Sequence, residues 1–287
     1  MLDQLAQFLV SGITLGAVYA VVALGFTIIF NVTGIINFAQ GEFVMLGGML
    51  SFWLYAGFGL PLPVAFVLAI AATALVGYGL DRFAIRPARQ APIISLIIIT
   101  IGASILIRGV GGHIWGKDAV PLPAFSGEQP LRVLGATILP QSIWVLGTSL
   151  GAMLLLHLLL SYTMLGKALR ACAINRNAAA LVGIDARVMS GLSFGLSAGL
   201  GALGGIVVAP LTMTSYDIGT MLGLKGFAAA ALGGFGSQPG AVAGGLILGV
   251  LEALGAGFIS SAYKDAIALA VLFVALFARA RGAGGSE

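Results

Sequence analysis

Two acidic residues, Glu42 and Glu252, lie inside long apolar stretches of the sequence. An ionised carboxylate is costly among apolar groups, so each side chain should be protonated or paired. Such an acid can line a polar pathway, form a hydrogen bond that locks helices together, or lie at a helix end with its carboxylate in water. For Glu42, which lies in a polar break, we predict a structural role. For Glu252 these alternatives stay open.

The sequence contains no arrangement that is typical of catalysis or metal binding. It has no nucleophile beside a base and no Gly-Lys-Ser/Thr loop for phosphate. Its single cysteine, Cys172, cannot form an internal disulfide, and both histidines are distant from it. We therefore predict that the chain has no catalytic residue, no metal site and no cofactor of its own.

The composition excludes an ordinary soluble domain. Of 287 residues, 59% are hydrophobic and 8% are charged, whereas about a quarter of the residues of a soluble domain are charged. Only helices or closed barrels span a bilayer, and long uninterrupted apolar runs favour helices. The net charge of +4 comes from cations in loops beside these runs, which favours an orientation signal over nucleic-acid binding. The sequence predicts an all-α integral membrane protein in contact with lipid.

Eight or nine membrane elements are predicted, because about 20 apolar residues cross the hydrocarbon core. The run at 226–240 is too short and glycine-rich to span as one helix, so we expect a half-helix and a turn there. Counting it as a crossing gives nine elements with the N-terminus outside, the topology that the loop cations favour. The segment 210–225 should reach the far surface. The other runs are 8–30, 35–57, one ending near 80, 92–110, 142–161, 190–209, 241–259 and 266–277. All of 1–287 is assigned to a single transmembrane domain, ending in a short polar tail at 282–287.

Two broken, glycine-rich segments, Asn37–Gly48 and Leu232–Gly245, occupy corresponding places near the two ends of the chain. In transporters with internal repeats such interrupted pairs often line the pathway, because irregular backbone is tolerated only beside a cavity. The alternative is that the glycines only let helices pack closely. We predict an internal repeat and re-entrant or broken helices here. The candidate residues are Asn37, Gln40, Gly41, Glu42, Gly233, Gly234, Gly236, Ser237 and Glu252.

A basic segment at 162–189 is the longest water-compatible stretch between two apolar runs. Four cations (Lys167, Arg170, Arg176 and Arg187) face a single acid there, so the positive-inside rule places it in the cytoplasm. Asn175 is a predicted N-cap, and Ala178 and Ala179 are good helix formers. Gly183 can take the left-handed conformation that ends a helix. We expect a short helix across the membrane face; an ordinary basic loop is the alternative.

The order of residues in this segment resembles the coupling loop of ABC-importer permeases, and more narrowly that of the branched-chain amino acid permease family. The matching positions are Gly166, Arg170, Ala171, Asn175, Ala179, Gly183 and Ile184. A second match, similar to the first of the family's two paired permeases, comprises Gly34, Ile36, Asn37, Phe38, Ala39, Gly41 and Glu42, with Gln40 in place of the usual His. A third comprises Phe227, Ala228, Leu232, Gly233, Gly234, Gly236, Ser237, Gly240, Ala241, Gly244 and Gly245.

The resemblance implies a permease subunit of an ATP-driven importer for branched-chain or related small amino acids, in the inner membrane of a bacterium. Its implied partners are two ATP-binding cassette subunits that use ATP, a second related permease or another copy, and an external solute-binding protein. Coupling to the ATPase is implied for Gly166, Arg170, Asn175, Ala178, Ala179, Gly183 and Ile184. Relatives also carry urea, short amides or aromatic acids. An ion-coupled secondary transporter, with Glu42 and Glu252 as coupling acids, is the alternative from another class.

Overall fold

The helices of this protein follow its apolar runs, because backbone polar groups in lipid must bond within the segment. The computed structural model describes residues 2–127, 129–133 and 136–283. Within these ranges the α-helices are α1 (Leu2–Thr33), α2 (Gln40–Phe52), α3 (Leu62–Leu80), α4 (Ile93–Trp115), α5 (Pro140–Tyr162), α6 (Met164–Ile174), α7 (Arg176–Leu181), α8 (Ala186–Thr212), α9 (Ile218–Gly233), α10 (Gln238–Phe258) and α11 (Lys264–Ala283).

Short irregular elements connect or extend these helices. A π-helical turn, Trp53–Gly57, prolongs α2, and another, Asp81–Ile85, prolongs α3. The connection between α4 and α5 contains a small antiparallel hairpin of β1 (Leu131–Val133) and β2 (Ala136–Ile138). A 3₁₀ turn, Ser261–Tyr263, precedes α11. Residues 284–287 of the predicted polar tail lie outside the described ranges.

Six of the described helices are long and apolar enough to cross a membrane: α1, α3, α4, α5, α8 and α10. Helix α9 is a shorter apolar helix of 16 residues. This confirms the predicted all-α membrane fold. The assignment of the whole chain to one domain, and the internal repeat, stay predictions.

Helix α1 forms the centre of the core. Its residues 16–29 are almost entirely buried, and α8, α9 and α10 pack around it. Glycines make the contact with α10 close: a Cβ on Gly16 would lie 2.9 Å from the carbonyl oxygen of Gly245. Gly12 meets Gly249 in the same way, so α1 and α10 run antiparallel. Small residues at these positions let two helix backbones approach.

Helix α8 lies between α2 and α3. Gly205 packs directly on the carbonyl oxygen of Val44 in α2, and Gly191 packs on Tyr78 in α3. The remaining glycine face of α8, which includes Gly195 and Gly199, also points at α3. These glycines therefore serve the close packing of α8 against α2 and α3.

Three boundaries differ from the sequence prediction. Helix α4 does not stop near Val110 but continues through Gly111 and Gly112 to Trp115. The predicted surface segment 210–225 is mostly helix, and Lys225 is buried within α9. The run predicted to end near residue 80 continues as a π-helical turn, in which Asp81 is buried. Two of these differences bury a charged side chain: Lys225 pairs with Glu252, and Asp81 pairs with Arg86.

Candidate functional site

The basic segment 162–189 folds into two helices across one end of the bundle, which we call the loop face. Helix α7 begins as predicted: the Asn175 side chain accepts a hydrogen bond from the Ala178 amide at 3.0 Å. It ends before Gly183, whose φ of +83° is the left-handed conformation predicted from the sequence. Helix α6 was not anticipated. Its N-cap is Thr163, whose hydroxyl accepts from the Gly166 amide at 3.0 Å.

The other predicted coupling residues hold this segment in shape. Gly166 lies against the backbone of Leu159 and Leu160, where a side chain would overlap α5. Arg170 donates to the Ser161 carbonyl at 3.2 Å. Ala179 is buried, and its carbonyl accepts from the Ile184 amide at 3.0 Å. These residues therefore build the loop, although they do not form one cluster of side chains.

Arg176 ties the loop to the core helix. Its guanidinium donates through Nε (3.0 Å) and through Nη2 to the carbonyl oxygen of Val32, in the last turn of α1. That carbonyl has no partner within its own helix, so the arginine satisfies it. Burial lowers the pKa of Arg176, with the charge of Arg89 nearby as a further cause, but a guanidinium stays charged at neutral pH. Movement of α7 is thereby linked to α1.

A polar network fixes the other end of the loop. The Asp185 side chain caps α8 by accepting from the Arg187 amide at 2.7 Å. The Arg187 carbonyl in turn accepts from Arg86, and Arg86 pairs with Asp81 at 3.0 Å. Ser190 donates to the other carboxylate oxygen of Asp81 at 2.6 Å. The start of α8 is thus connected to the end of α3.

The outer surface of the loop is apolar. Leu181 is 89% exposed and Ile174 is 87% exposed, and Val182 and Met164 are also largely exposed. By contrast, Cys172 on the inner side of α6 is buried, and burial raises the pKa of its thiol. An exposed apolar surface beside arginines, at the water-facing end of a membrane protein, is typical of a protein contact site.

The first broken segment supplies mainly structural residues. The Asn37 side chain accepts from the Ala39 amide at 3.1 Å, and the Gln40 side chain exchanges hydrogen bonds with Ser197, at 2.6 and 3.1 Å. Gly41 packs on the backbone of Gly219 in α9. Of these candidates none lines the cavity described next; their contacts hold the start of α2 within the bundle.

Glu42 lines a cavity of about 240 Å³ between α1, α2, α4 and α9. The residue is 1% exposed, and its Oε1 accepts from the Ser104 hydroxyl at 2.8 Å. Ser104 is the middle residue of α4. Arg108, one turn further along α4, lines the same cavity and donates to the Thr220 hydroxyl at 2.6 Å. Arg108 and Thr220 were not among the sequence candidates. The spacing of Ser104 and Arg108, four residues apart in an apolar helix, was an available signal for them.

The second broken segment forms a turn at the loop face. Gly234 and Gly236 both have a φ of +97°, and the Ser237 hydroxyl caps α10 by accepting from the Gly240 amide at 3.1 Å. Gly233 packs on the backbone of Gly240. The Gly236 carbonyl accepts from Asn31 near the end of α1, at 3.0 Å. The predicted turn is present, whereas the predicted half-helix is the second half of the 16-residue helix α9. These residues lie apart from the cavity.

Glu252 belongs to a buried ionic cluster, which the sequence did not reveal. Its carboxylate accepts from Lys225 in α9 at 2.7 Å and from the Tyr19 hydroxyl in α1 at 2.9 Å. Lys225 also pairs with Asp265 at the start of α11, at 2.7 Å. The cluster connects four helices, so of the alternatives for Glu252 the structure supports a helix-locking bond.

Comparison with known sequences gives nearly full-length matches. The family described as "Branched-chain amino acid transport system / permease component" matches residues 8–276. The high-affinity branched-chain amino acid transport system permease protein LivH of Escherichia coli (strain K12) is 35% identical over an alignment of 301 positions, gaps included; the alignment covers 98% of this chain and 97% of LivH. The corresponding protein BraD of Pseudomonas aeruginosa is 35% identical over 298 residues, covering 96% of this chain and 94% of BraD.

A solved structure shares the fold. PsaBC from Streptococcus pneumoniae in complex with Fab aligns with a TM-score of 0.51 at 13% sequence identity, over 94% of this chain and 90% of that chain. At this identity the likeness concerns the fold alone. The family match, by contrast, runs through both broken segments and the whole of the loop.

Proposed function

This chain belongs to the family of branched-chain amino acid transport system permease components, and we propose that it imports branched-chain or related small amino acids at the expense of ATP hydrolysed by partner subunits. It is a multi-pass permease subunit of the bacterial inner (cytoplasmic) membrane. The predicted family is confirmed, with 35% identity over nearly the whole chain.

The observation that carries the coupling proposal is the structure of the loop. Helices α6 and α7 place Leu181 and Ile174 almost fully in solvent, while Arg176 binds the end of α1. We assign the exposed apolar surface to contact with an ATP-binding cassette subunit. Arg176 in α7 binds Val32 at the end of α1, and only four residues separate the end of α7 from the start of α8, so a displacement of the docked loop reaches two core helices.

The same proposal assigns a role to each subunit of the transporter. This chain binds no cofactor, and two ATP-binding cassette subunits bind and hydrolyse ATP. An external solute-binding protein delivers the solute, and a second related permease, or another copy of this chain, completes the pathway. The cavity beside Glu42 is bounded by the exposed side chains of Ile101 and Ile105, a surface suited to a membrane partner. Urea, short amides and aromatic acids remain the alternative solutes.

An ion-coupled secondary transporter is the competing class. Such a transporter needs acids that are free to exchange an ion, and Glu42 and Glu252 were the two candidates from the sequence. The carboxylate of Glu252 is instead bound by Lys225 and Tyr19. This contact favours an ATP-driven transporter.

Substitution at the loop surface tests the coupling proposal. In proteoliposomes that contain the permease pair, the ATPase subunits and the binding protein, Leu181→Asp should abolish most leucine uptake, because it puts a charge into an apolar contact. Leu181→Met is the matched control and should transport normally. Both variants should insert and fold, since Leu181 is 89% exposed. Normal uptake and normal ATPase binding by Leu181→Asp would contradict the proposal.

A further inference from the structure

The cavity beside Glu42 is lined by two opposite charges that do not form an ion pair with each other. Glu42 and Arg108 both line it, yet the ion pairs found among the described residues do not include these two. Charges in an apolar membrane interior normally pair with each other. Since these two face a shared space without pairing, the space can receive a group of each sign.

We propose that this cavity is a contact site for a free α-amino acid on its way through the membrane. The ammonium group of the amino acid binds Glu42, its carboxylate binds Arg108, and its side chain lies against the apolar wall. This inference rests on the proposed function, because it concerns the solute that the permease carries.

The ammonium position is defined by an unsatisfied oxygen. Glu42 Oε1 is occupied by the Ser104 hydroxyl, but Oε2 is buried and has no hydrogen-bond partner in the part of the chain that the structure describes. A buried carboxylate oxygen without a donor is uncommon in native proteins and needs a partner. An ammonium group brings three donors and the opposite charge.

The carboxylate position is defined by Arg108. Thr220 occupies Nη1 of the guanidinium and fixes its orientation. A guanidinium has five N–H donors in a planar fork, so further donors stay free to bind a carboxylate through two parallel hydrogen bonds. Arg108 lies one helical turn from Ser104, whose hydroxyl contacts the Glu42 carboxyl, and both charged residues line the same cavity. The cavity therefore presents one group of each sign to the two charged groups of an α-amino acid.

The wall of the cavity suits an apolar side chain. Phe26, Phe38 and Phe227 come from three different segments, and Ile101, Ile105 and Leu224 complete the apolar lining. Pockets for small molecules are generally apolar with a few well-placed polar groups. A zwitterion with a branched aliphatic side chain satisfies both parts of this lining. Urea and neutral amides carry neither charge and would leave Glu42 and Arg108 unmatched.

Photolabelling of the assembled transporter tests this site. The probe is a leucine analogue that carries a diazirine in its side chain, added to the full complex in proteoliposomes, and labelled residues are found by mass spectrometry. We expect labelling on α4 or α9 beside Phe227 and Ile105. L-leucine should prevent it at concentrations at least tenfold lower than leucinamide, which lacks the carboxylate, or 4-methylpentanoate, which lacks the ammonium group.

Variants test whether protection by leucine depends on the charges of Glu42 and Arg108 or only on packing in the cavity. Glu42→Gln and Arg108→Met should each raise the leucine concentration needed for protection at least tenfold. Arg82→Met, the same change at an exposed position of the π-helical turn after α3, should leave it unchanged. Binding of the ATPase subunits by each variant shows that it is folded.

Two results would overturn the inference. One is the absence of cavity labelling in a complex that takes up radiolabelled leucine, which would leave the proposed function standing. The other is equal protection by leucine, leucinamide and 4-methylpentanoate, which would make the cavity merely apolar. Uptake of leucine is measured on the same vesicles, so a failure of the proposed function is seen separately.

Discussion

Replacing Lys225 with Met should strongly destabilise the bundle, because it leaves Glu252 buried without its counter-ion. The Lys225 ammonium lies 2.7 Å from Glu252, and the two side chains are 7% and 4% exposed. Methionine keeps the length of the side chain but removes the charge. Removing one partner of a buried pair costs about 3–5 kcal/mol, chiefly because a charge stays buried alone. The Tyr19 hydroxyl, which donates to the other oxygen of Glu252, compensates only part of this cost.

A double-mutant cycle isolates the pair. Glu252→Gln keeps the shape of the residue, and Lys225→Met with Glu252→Gln removes both charges together. The double variant should be more stable than the sum of the single changes indicates, by roughly 2–3 kcal/mol. The second partner of Lys225, Asp265, has a side chain that is 44% exposed, so its pairing contributes little.

Unfolding in mixed detergent micelles, followed by tryptophan fluorescence and helix content, measures these free energies. Leu75→Met, a substitution at a highly exposed position of α3, is the control and should unfold like the wild type. A Lys225→Met variant within about 0.5 kcal/mol of the wild type, the range of ordinary surface substitutions, would refute the reasoning. Simple additivity in the double variant would refute it equally.

Three further outcomes follow from a close helix contact, a backbone conformation and a side-chain hydrogen bond. Gly205→Leu should destabilise the folded protein by about 1–3 kcal/mol or more and lower its yield, because the side chain would overlap α2. Gly199→Ala is the control and should fold normally, because a Cβ there makes ordinary contacts. Gly183→Val should reduce ATP-dependent uptake but not insertion, since a φ of +83° costs a non-glycine residue about 1–2 kcal/mol. Gly183→Asn should retain more uptake, because asparagine takes the left-handed conformation more readily than valine. Arg176→Met should expose the loop to limited proteolysis, because it removes charge-assisted bonds to Val32, each worth about 1.5–3 kcal/mol. Unchanged yield, uptake or cleavage, respectively, would contradict these expectations.

Local signals made the loop predictable. The cap at Asn175 and the left-handed turn at Gly183 are set by neighbours within a few residues, so the sequence alone identifies them. The same holds for the turn at Gly234 and Gly236, where a glycine pair follows an apolar run. Helix α6 was missed because its inner side, with Leu169 and Cys172, is stabilised by packing under distant helices.

The buried cations were not predictable in this way. Lys225 was assigned to a far-surface segment, since a cation is expected near water, and Arg108 was not among the candidate residues. Their partners lie far along the chain: Glu252 is 27 residues from Lys225, and Thr220 is 112 residues from Arg108. Only the folded bundle brings these groups together. Glu42 was one of the candidate residues, although a structural role was predicted for it, and it lines the cavity. Its neighbours Asn37, Gln40 and Gly41 do not line the cavity and hold the start of α2 in place.

Purification of the tagged chain from its native membrane, with identification of every protein that accompanies it, tests the central claim most directly. The account predicts recovery of ATP-binding cassette subunits together with a related permease, and loss of the ATPase subunits from the Leu181→Asp variant. Recovery of the chain alone, still active in leucine uptake after reconstitution without ATP, would contradict it.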